Sequence, residues 1–411
     1  MATKAAAETS DLAGLDPADY RYFTEQTWPA LFARLRAEDP VHCCTEGMFA
    51  PYWSVTRYKD IVHVEALPDI YSSSWEYGGI TVLDALDQEL KFPMFIAMDR
   101  PQHTAERRVV APAFTPSEMQ RLAGPIRART GALLDALPAG ETFDWVDRVS
   151  IELTTQMLAI LFDFPWEDRR LLTKWSDWAG DVQAAADPAM REERTRILYE
   201  MGAYFHGLWQ ERLNAPPAPD LLSMMIHSDA MSKMDEQEFI GNLVLLIVGG
   251  NDTTRNSMTG LVRIMNEFPA EWAKLKADRS LVPNAVSELI RWQTPLAHMR
   301  RTARQDTELG GKIIRKGDKV VMWYISANRD TEVFADPDRV DFSRENARRH
   351  LSFGYGIHRC VGARLAELQL SILMEEMLAR GMDVEAVAPP VRVPSPFING
   401  YKEQKVRITR T

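Results

Sequence analysis

One segment limits the possible folds more than any other: Asp235 to Pro269, "DEQEFIGNLVLLIVGGNDTTRNSMTGLVRIMNEFP". Asp235 is a helix-capping residue type and the proline is a stop. A helix reaching Glu267 would be ~48 Å long, enough to cross an entire domain. Its centre, "LLIVGGNDTTRNS", turns abruptly polar. Each glycine there costs ~1 kcal/mol relative to alanine, and Asn, Asp and Thr compete for backbone hydrogen bonds. One reading is a solvent-exposed break between two helices. The other is a core-crossing helix interrupted at Gly249 and Gly250, where something must approach its backbone; the apolar flanks favour it.

The remaining pattern is mostly helical. "PSEMQRLAGPIRARTGALLDAL", "RVSIELTTQMLAILFDF" and "VPNAVSELIRWQ" repeat apolar residues at three- and four-residue spacing. Strand-like segments occur twice, in "YWSVTRYKDIVHVE" and in "TELGGKIIRKGDKVVMWYIS", where Gly-Gly and Lys-Gly-Asp are turn signals. No repeat, low-complexity block or interdomain linker divides the 411 residues. The expectation is one domain over residues 16–411, mainly α with small β-sheets, behind a disordered tail at 1–15.

Several classes are disfavoured. The tail lacks the apolar stretch of a signal peptide, and "LVLLIVGG" is far short of the ~20 residues that span a bilayer. A cytoplasmic monomer without a membrane anchor is expected. A net charge of −10, from 58 acidic against 48 basic residues, argues against nucleic-acid binding. Of the three cysteines, Cys43 and Cys44 are adjacent and poorly placed for a disulfide, which suits a reducing compartment.

Cys360 lies in "HLSFGYGIHRCVG", ahead of the helical "VGARLAELQLSILMEEMLARG". Three readings are open: a buried structural thiol, a zinc ligand with His350 and His358, although paired cysteines are lacking, or an axial thiolate to haem iron. Gly354, Gly356 and Gly362 fit the last, as clearance for a flat cofactor. The amides of the following helix favour a thiolate.

"FGYGIHRCVG" resembles the haem-binding loop of cytochrome P-450 monooxygenases. Phe353, Gly356, Cys360 and Gly362 stand at the family's marked positions, and His358 stands where Arg or His is usual. "GGNDTT" resembles the oxygen-activation motif, with Gly249 before Asp252 as the acid and Thr253 as the alcohol. "ELIR" matches the family's Glu-x-x-Arg pair through Glu288 and Arg291, and "DPDRVDF" matches its third member through Arg339. "RPQHTAERR" resembles the helix whose His103 and Arg107 meet a haem propionate, and Arg301 and His350 match the remaining propionate contacts. The resemblance covers nearly the whole chain after the tail.

It implies the single-domain cytochrome P-450 fold, a helical triangular prism, holding haem b without covalent attachment, since no Cys-x-x-Cys-His is present. Cys360 is then the iron ligand, and Asp252 with Thr253 deliver protons during dioxygen cleavage. That pair points to dioxygen plus two electrons rather than hydrogen peroxide. The chain has no flavin or iron–sulfur motif, so an acidic 2Fe-2S ferredoxin and an NADH-dependent ferredoxin reductase are expected. Arg344, Arg348, Arg349, Arg359 and Arg364, set against Glu345, form a candidate docking surface.

"GGNDTTRNSMTG", "HLSFGYGIHRCVGARLAELQL" and "PSPFINGYKEQKVRI" further resemble the bacterial alkane and fatty-acid terminal (omega) hydroxylases. Expected pocket residues are Leu83, Met94, Phe95, Leu246, Ile247, Leu296, Met299, Phe397 and Ile398, an apolar set suited to hydrocarbon chains. A terpene, steroid or aromatic substrate suits it too, and a non-catalytic haem sensor or transporter would keep Cys360 without needing Asp252 and Thr253.

Overall fold

The computed structural model describes residues 11–87 and 91–410. Positions 1–10 of the expected tail lie outside the described residues. Its remainder is ordered: Leu12–Gly14 forms a 3-10 turn whose Ala13 N–H donates to the Asp11 side chain, and Leu15 is 2% exposed. The folded body therefore starts before residue 16.

The helices that position the site are α1 (Tyr58–Ala66), α2 (Gln102–Val110), α3 (Pro116–Asp135), α4 (Glu152–Phe162), α5 (Arg170–Gly180), α6 (Pro188–Arg212), α7 (Glu236–Glu267), α8 (Val282–Gln293) and α9 (Ala363–Ala379). Among the described residues, no helix is long and apolar enough to cross a membrane. The long segment is one unbroken helix, α7, whose Glu238 N–H donates to Asp235 at 2.9 Å. The break between two helices is excluded. The polar centre survives because its side chains bond carbonyls one turn back: Thr253 Oγ1 donates to Gly249 O at 3.0 Å, Asn256 Nδ2 to Asp252 O at 2.7 Å and Ser257 Oγ to Thr253 O at 2.9 Å.

Apolar clusters lie along α7. Leu243 and Ile247 join Phe162, Trp175 and Phe205 toward its start, while Leu261 and Met265 join Trp145, Leu289 and Leu373 toward its end. A five-stranded sheet stands apart: β1 (Val41–Cys44), β2 (Tyr52–Val55), β3 (Tyr71–Ser72), β4 (Met299–Ala303) and β5 (Lys319–Met322), in the order β1-β2-β5-β4-β3. The β2–β5 pair is parallel with Trp53 opposite Val320, and the others are antiparallel.

The strand expectation for "YWSVTRYKDIVHVE" holds only for β2. The rest is helix α1, with Ile61, Val64 and Glu65 buried at three- and four-residue spacing; β-branched composition masked a helical period. In the later segment Thr307–Leu309 and Lys312–Ile314 pair across Gly310–Gly311, ahead of β5.

Glu288 and Arg291 form an ion pair at 2.7 Å with both side chains fully buried. The third member is not Arg339. That residue is exposed and contributes its carbonyl, which accepts from Arg291 at 3.2 Å and from Arg344 at 3.1 Å. Arg344 supplies the second guanidinium, with Nε 3.0 Å from Glu288 Oε1, and so also leaves the expected docking surface. Removing one partner of a buried pair strands the other charge. Arg344→Ala is expected to lower stability by ~3–5 kcal/mol in urea unfolding, and Arg339→Ala by less than ~0.5 kcal/mol. Equal losses in the two variants would refute this assignment.

Candidate active site

Cys360 sits between the short Gly356–His358 turn and α9. Its N–H donates to Phe353 O at 2.8 Å, which closes the loop on itself. Burial raises the thiol pKa, while the Gly362 N–H and the guanidinium groups of Arg107 and Arg359 oppose that rise by stabilising the thiolate. Gly362 caps α9, so the sulfur lies at a helix N-terminus. Gly356 serves another purpose than clearance for a cofactor. Its φ is +66°, and a Cβ there would stand 2.4 Å from the Glu65 carbonyl oxygen, so glycine lets the loop lie against the end of α1.

Cys360 lines a cavity of ≈ 370 Å³, together with Phe353, Gly354 and Gly362 of its own loop and Gly249 and Thr253 of α7. The room opposite the thiol does not come from a disrupted helix. A Cβ on Gly249 would meet nothing within 4 Å, whereas one on Gly250 would meet Leu158 at 2.8 Å. Gly249 thus leaves open space on the cavity side and Gly250 permits close packing behind it.

At one end of the cavity the rings of His103 and His358 lie 4.2 Å apart, both buried. Among the described residues, none of their four ring nitrogens has a hydrogen-bond partner. Burial, then the nearby Arg107, pushes the His103 pKa down to about 4; burial and Arg301 depress that of His358. Arg301 bonds Arg300 O at 2.8 Å and Glu65 Oε1 at 3.3 Å, and Glu65 also accepts from Tyr324 at 2.6 Å. Buried donors beside two guanidinium groups need an acid, because unsatisfied polar groups are costly. The two propionates of a haem would supply it. His103, Arg107, Arg301 and His358 therefore fit such a group, with Cys360 as the ligand to its iron.

His350 does not join them. It lies among the residues of a separate hollow with Arg348, Arg349 and Arg359, where its Nδ1 accepts from Ser352 N–H at 3.2 Å. Nor do His350, His358 and Cys360 form a zinc site: among the described residues, no group of three His, Cys, Asp or Glu side chains could hold a metal ion.

Asp252 and Thr253 take different directions. Thr253 lines the cavity, while Asp252 is 3% exposed and turned toward α5, where it accepts from Ser176 Oγ at 2.9 Å and pairs with Arg255 at 2.9 Å. Arg255 also pairs with Asp177 at 2.8 Å, whose side chain is 53% exposed. Burial raises the Asp252 pKa and Arg255 opposes it. A buried carboxyl is thereby tied to a surface acid through one guanidinium.

Eight of the expected pocket residues line the cavity: Leu83, Met94, Phe95, Leu246, Leu296, Met299, Phe397 and Ile398. Ile247 does not. Leu246 shares the helix face of Gly249, Gly250 and Thr253, and one residue further on the side chain turns into the core at 1% exposure. The wall at Met94 and Phe95 is stapled to α7. Phe95 N–H donates to Asn242 Oδ1 at 3.0 Å, and a Cβ at Gly241 would lie 1.9 Å from Pro93 O, so only glycine admits this approach. The wall at Leu83, Phe397 and Ile398 is joined by buried His298, whose Nδ1 donates to Pro396 O at 2.9 Å and whose Nε2 accepts from Val82 N–H at 3.1 Å. Burial lowers its pKa to about 4, which keeps this neutral tautomer. Glu65, Tyr324, Ser176 and His298 were not singled out by motif, since none has a sequence neighbour that marks it, and Arg255, although inside the polar centre of α7, was given no role there.

Known proteins show which family the chain resembles. The family described as Cytochrome P450 matches residues 129–380. A solved structure, CYP153D17 from Sphingomonas sp. PAMC 26605, is 57% identical over 96% of this chain and 99% of its own, with a TM-score of 0.92. Among curated relatives, linalool 8-monooxygenase of Pseudomonas putida is 36% identical over 93% of this chain and 96% of its own length. A methyl-branched lipid omega-hydroxylase of Mycobacterium bovis is 33% identical over 90% and 89%.

Proposed function

The chain belongs to the cytochrome P450 family of monooxygenases, and from that premise we propose that it hydroxylates the terminal carbon of medium-chain n-alkanes or fatty acids. Membership among monooxygenases sets aside the non-catalytic sensor or transporter. Bound through the Cys360 thiolate, haem supplies the activation of dioxygen that puts one oxygen atom into a C–H bond and releases the other as water.

The chain's own residues do the rest. His103, His358, Arg107 and Arg301 would hold the propionates of a bound haem, and Cys360 would ligate its iron. Thr253 keeps a hydroxyl at the cavity wall, its proton engaged by Gly249 O until a better acceptor arrives. Asp252 stands one residue away, where burial raises its pKa and Arg255 opposes that rise, and release from Arg255 would let it exchange a proton with the surface near Asp177. The apolar walls keep other water from competing.

The observation that carries the substrate proposal is the composition of those walls: Leu83, Phe95, Leu246, Leu296, Met299 and Phe397 surround the space next to Thr253. Likeness to a lipid omega-hydroxylase supports it. Likeness to a linalool 8-monooxygenase supports a second reading, a terpenoid substrate. Spin-state titration with dodecane, dodecanoate and linalool, followed by product analysis, separates the two. Shifts with the linear chains and a primary alcohol product are expected; a shift with linalool alone would overturn the choice.

We further propose that electrons come from NADH through a ferredoxin reductase and an acidic 2Fe-2S ferredoxin. With Arg344 buried, the docking surface consists of Arg348, Arg349, Arg359 and Arg364, all exposed. Reversing Arg348, Arg349 and Arg364 to Glu is expected to slow reduction by the ferredoxin at least about tenfold at low salt and to flatten its salt dependence. An unchanged rate and slope would eliminate this surface.

A further inference from the structure

Most of the residues that line the cavity are apolar, with Thr81, Thr254, Ser257 and Gln369 among the uncharged exceptions. Its charged lining residues at the haem end are Glu65, Arg107 and Arg301, beside His358 and Cys360. Among the described lining residues, the charged groups left over are two cations, Lys91 and Arg194. The Lys91 ammonium donates to Ala85 O at 2.6 Å and Leu86 O at 2.9 Å.

Arg194 is the more telling. It projects from α6 to the end of α5, where its Nε–H donates to Trp178 O and an Nη2–H to Ala179 O, each at 3.1 Å. Both acceptors are neutral carbonyls, and they use two of the five N–H donors of a guanidinium. Among the described residues, Arg194 forms no ion pair with a carboxylate; Asp181 acts on it only through its field. Burial lowers the guanidinium pKa to about 10, so it remains charged at neutral pH. Val182, Ala185 and Leu198 line the same cavity with apolar side chains. Arg194 is half-buried, and a cation partly withdrawn from water gains from an anion beside it.

We propose that Arg194 anchors the carboxylate of the substrate, so that a straight-chain fatty acid binds as its anion, carboxylate on Arg194 and methyl end toward Thr253 and Cys360. The inference rests on the terminal-hydroxylase reading and narrows it, from alkanes or fatty acids to fatty acids as the preferred class. Two fixed carbonyl contacts hold the guanidinium plane in place, leaving its other edge free to meet a carboxylate through paired N–H donors. Lysine in its place would keep the charge and lose the fork.

The holoenzyme tests this by spin-state titration and calorimetry with dodecanoate, its methyl ester and dodecane, with the haem spectrum of each variant as the check on folding. Dodecanoate is expected to bind at least about tenfold more tightly than its ester, the effect of one charge-assisted contact. Arg194→Met should bring that ratio close to one, and Arg194→Lys should keep part of it. If Arg194→Met does not fold, the wild-type acid-to-ester ratio and Arg194→Lys decide. Equal binding of acid and ester by the wild-type enzyme, or an unchanged ratio in Arg194→Met, overturns the anchor while leaving terminal hydroxylation standing. No binding of any linear ligand overturns both.

Discussion

The Glu288 carboxylate, fully buried between two arginines, is the interaction from which the geometry of the thiolate loop follows. Its oxygens accept from Arg291 Nε at 2.7 Å, Arg291 Nη2 at 2.8 Å, Arg344 Nε at 3.0 Å and the Asp341 N–H at 3.0 Å. The arginines pass the constraint outward. Arg291 holds Asn328 O and Pro337 O, and Arg344 holds Ala335 O. Asn328 then accepts from Leu351 N–H at 2.7 Å and donates to Ser352 Oγ at 2.8 Å, and Ser352 is anchored on Ile290 O of α8 at 2.9 Å. The next residue is Phe353, whose carbonyl receives the Cys360 N–H. A continuous path of hydrogen bonds and main chain thus leads from the buried ion pair to Cys360. Buried pairs of this kind are weak sources of net stability and are best understood as setting one arrangement among several.

Helix α7 sets the other wall. It carries the alcohol of Thr253 into the cavity and the acid of Asp252 away from it, because consecutive helical residues differ by about a quarter turn. One helix can therefore turn one face to the cavity and tie the next to the surface through Arg255 and Asp177. The same geometry explains why Ile247 is core while Leu246 and Val248 line the cavity.

Much of this was legible in the primary structure wherever a local rule decides. The Asp235 cap, the extent of α7 and the bounds of α8 follow from capping chemistry, proline and a 3.6-residue period. The Cys360 loop is dense with glycine and had few structural alternatives. Choices made by tertiary packing were not legible. Arg339 and Arg344 stand in the same irregular stretch, where no period tells which side chain turns inward, and the wrong one was expected. His350 and His358 flank the same loop, yet only His358 meets His103. Glu65 sat in a stretch rich in valine and isoleucine, and its burial beside Arg301 and Tyr324 depends on contacts more than two hundred residues away in sequence. Arg194 belongs to no motif in the primary structure, and its place on the cavity wall shows only in the fold.

The proposed chemistry depends on Cys360 as a thiolate ligand to haem iron. A reduced, carbon monoxide difference spectrum tests this most directly. The wild-type protein is expected to show the red-shifted band of thiolate-ligated haem, and Cys360→His to bind haem without it. Absence of the band from freshly prepared, haem-loaded wild-type protein, or its persistence in Cys360→His, would contradict the account.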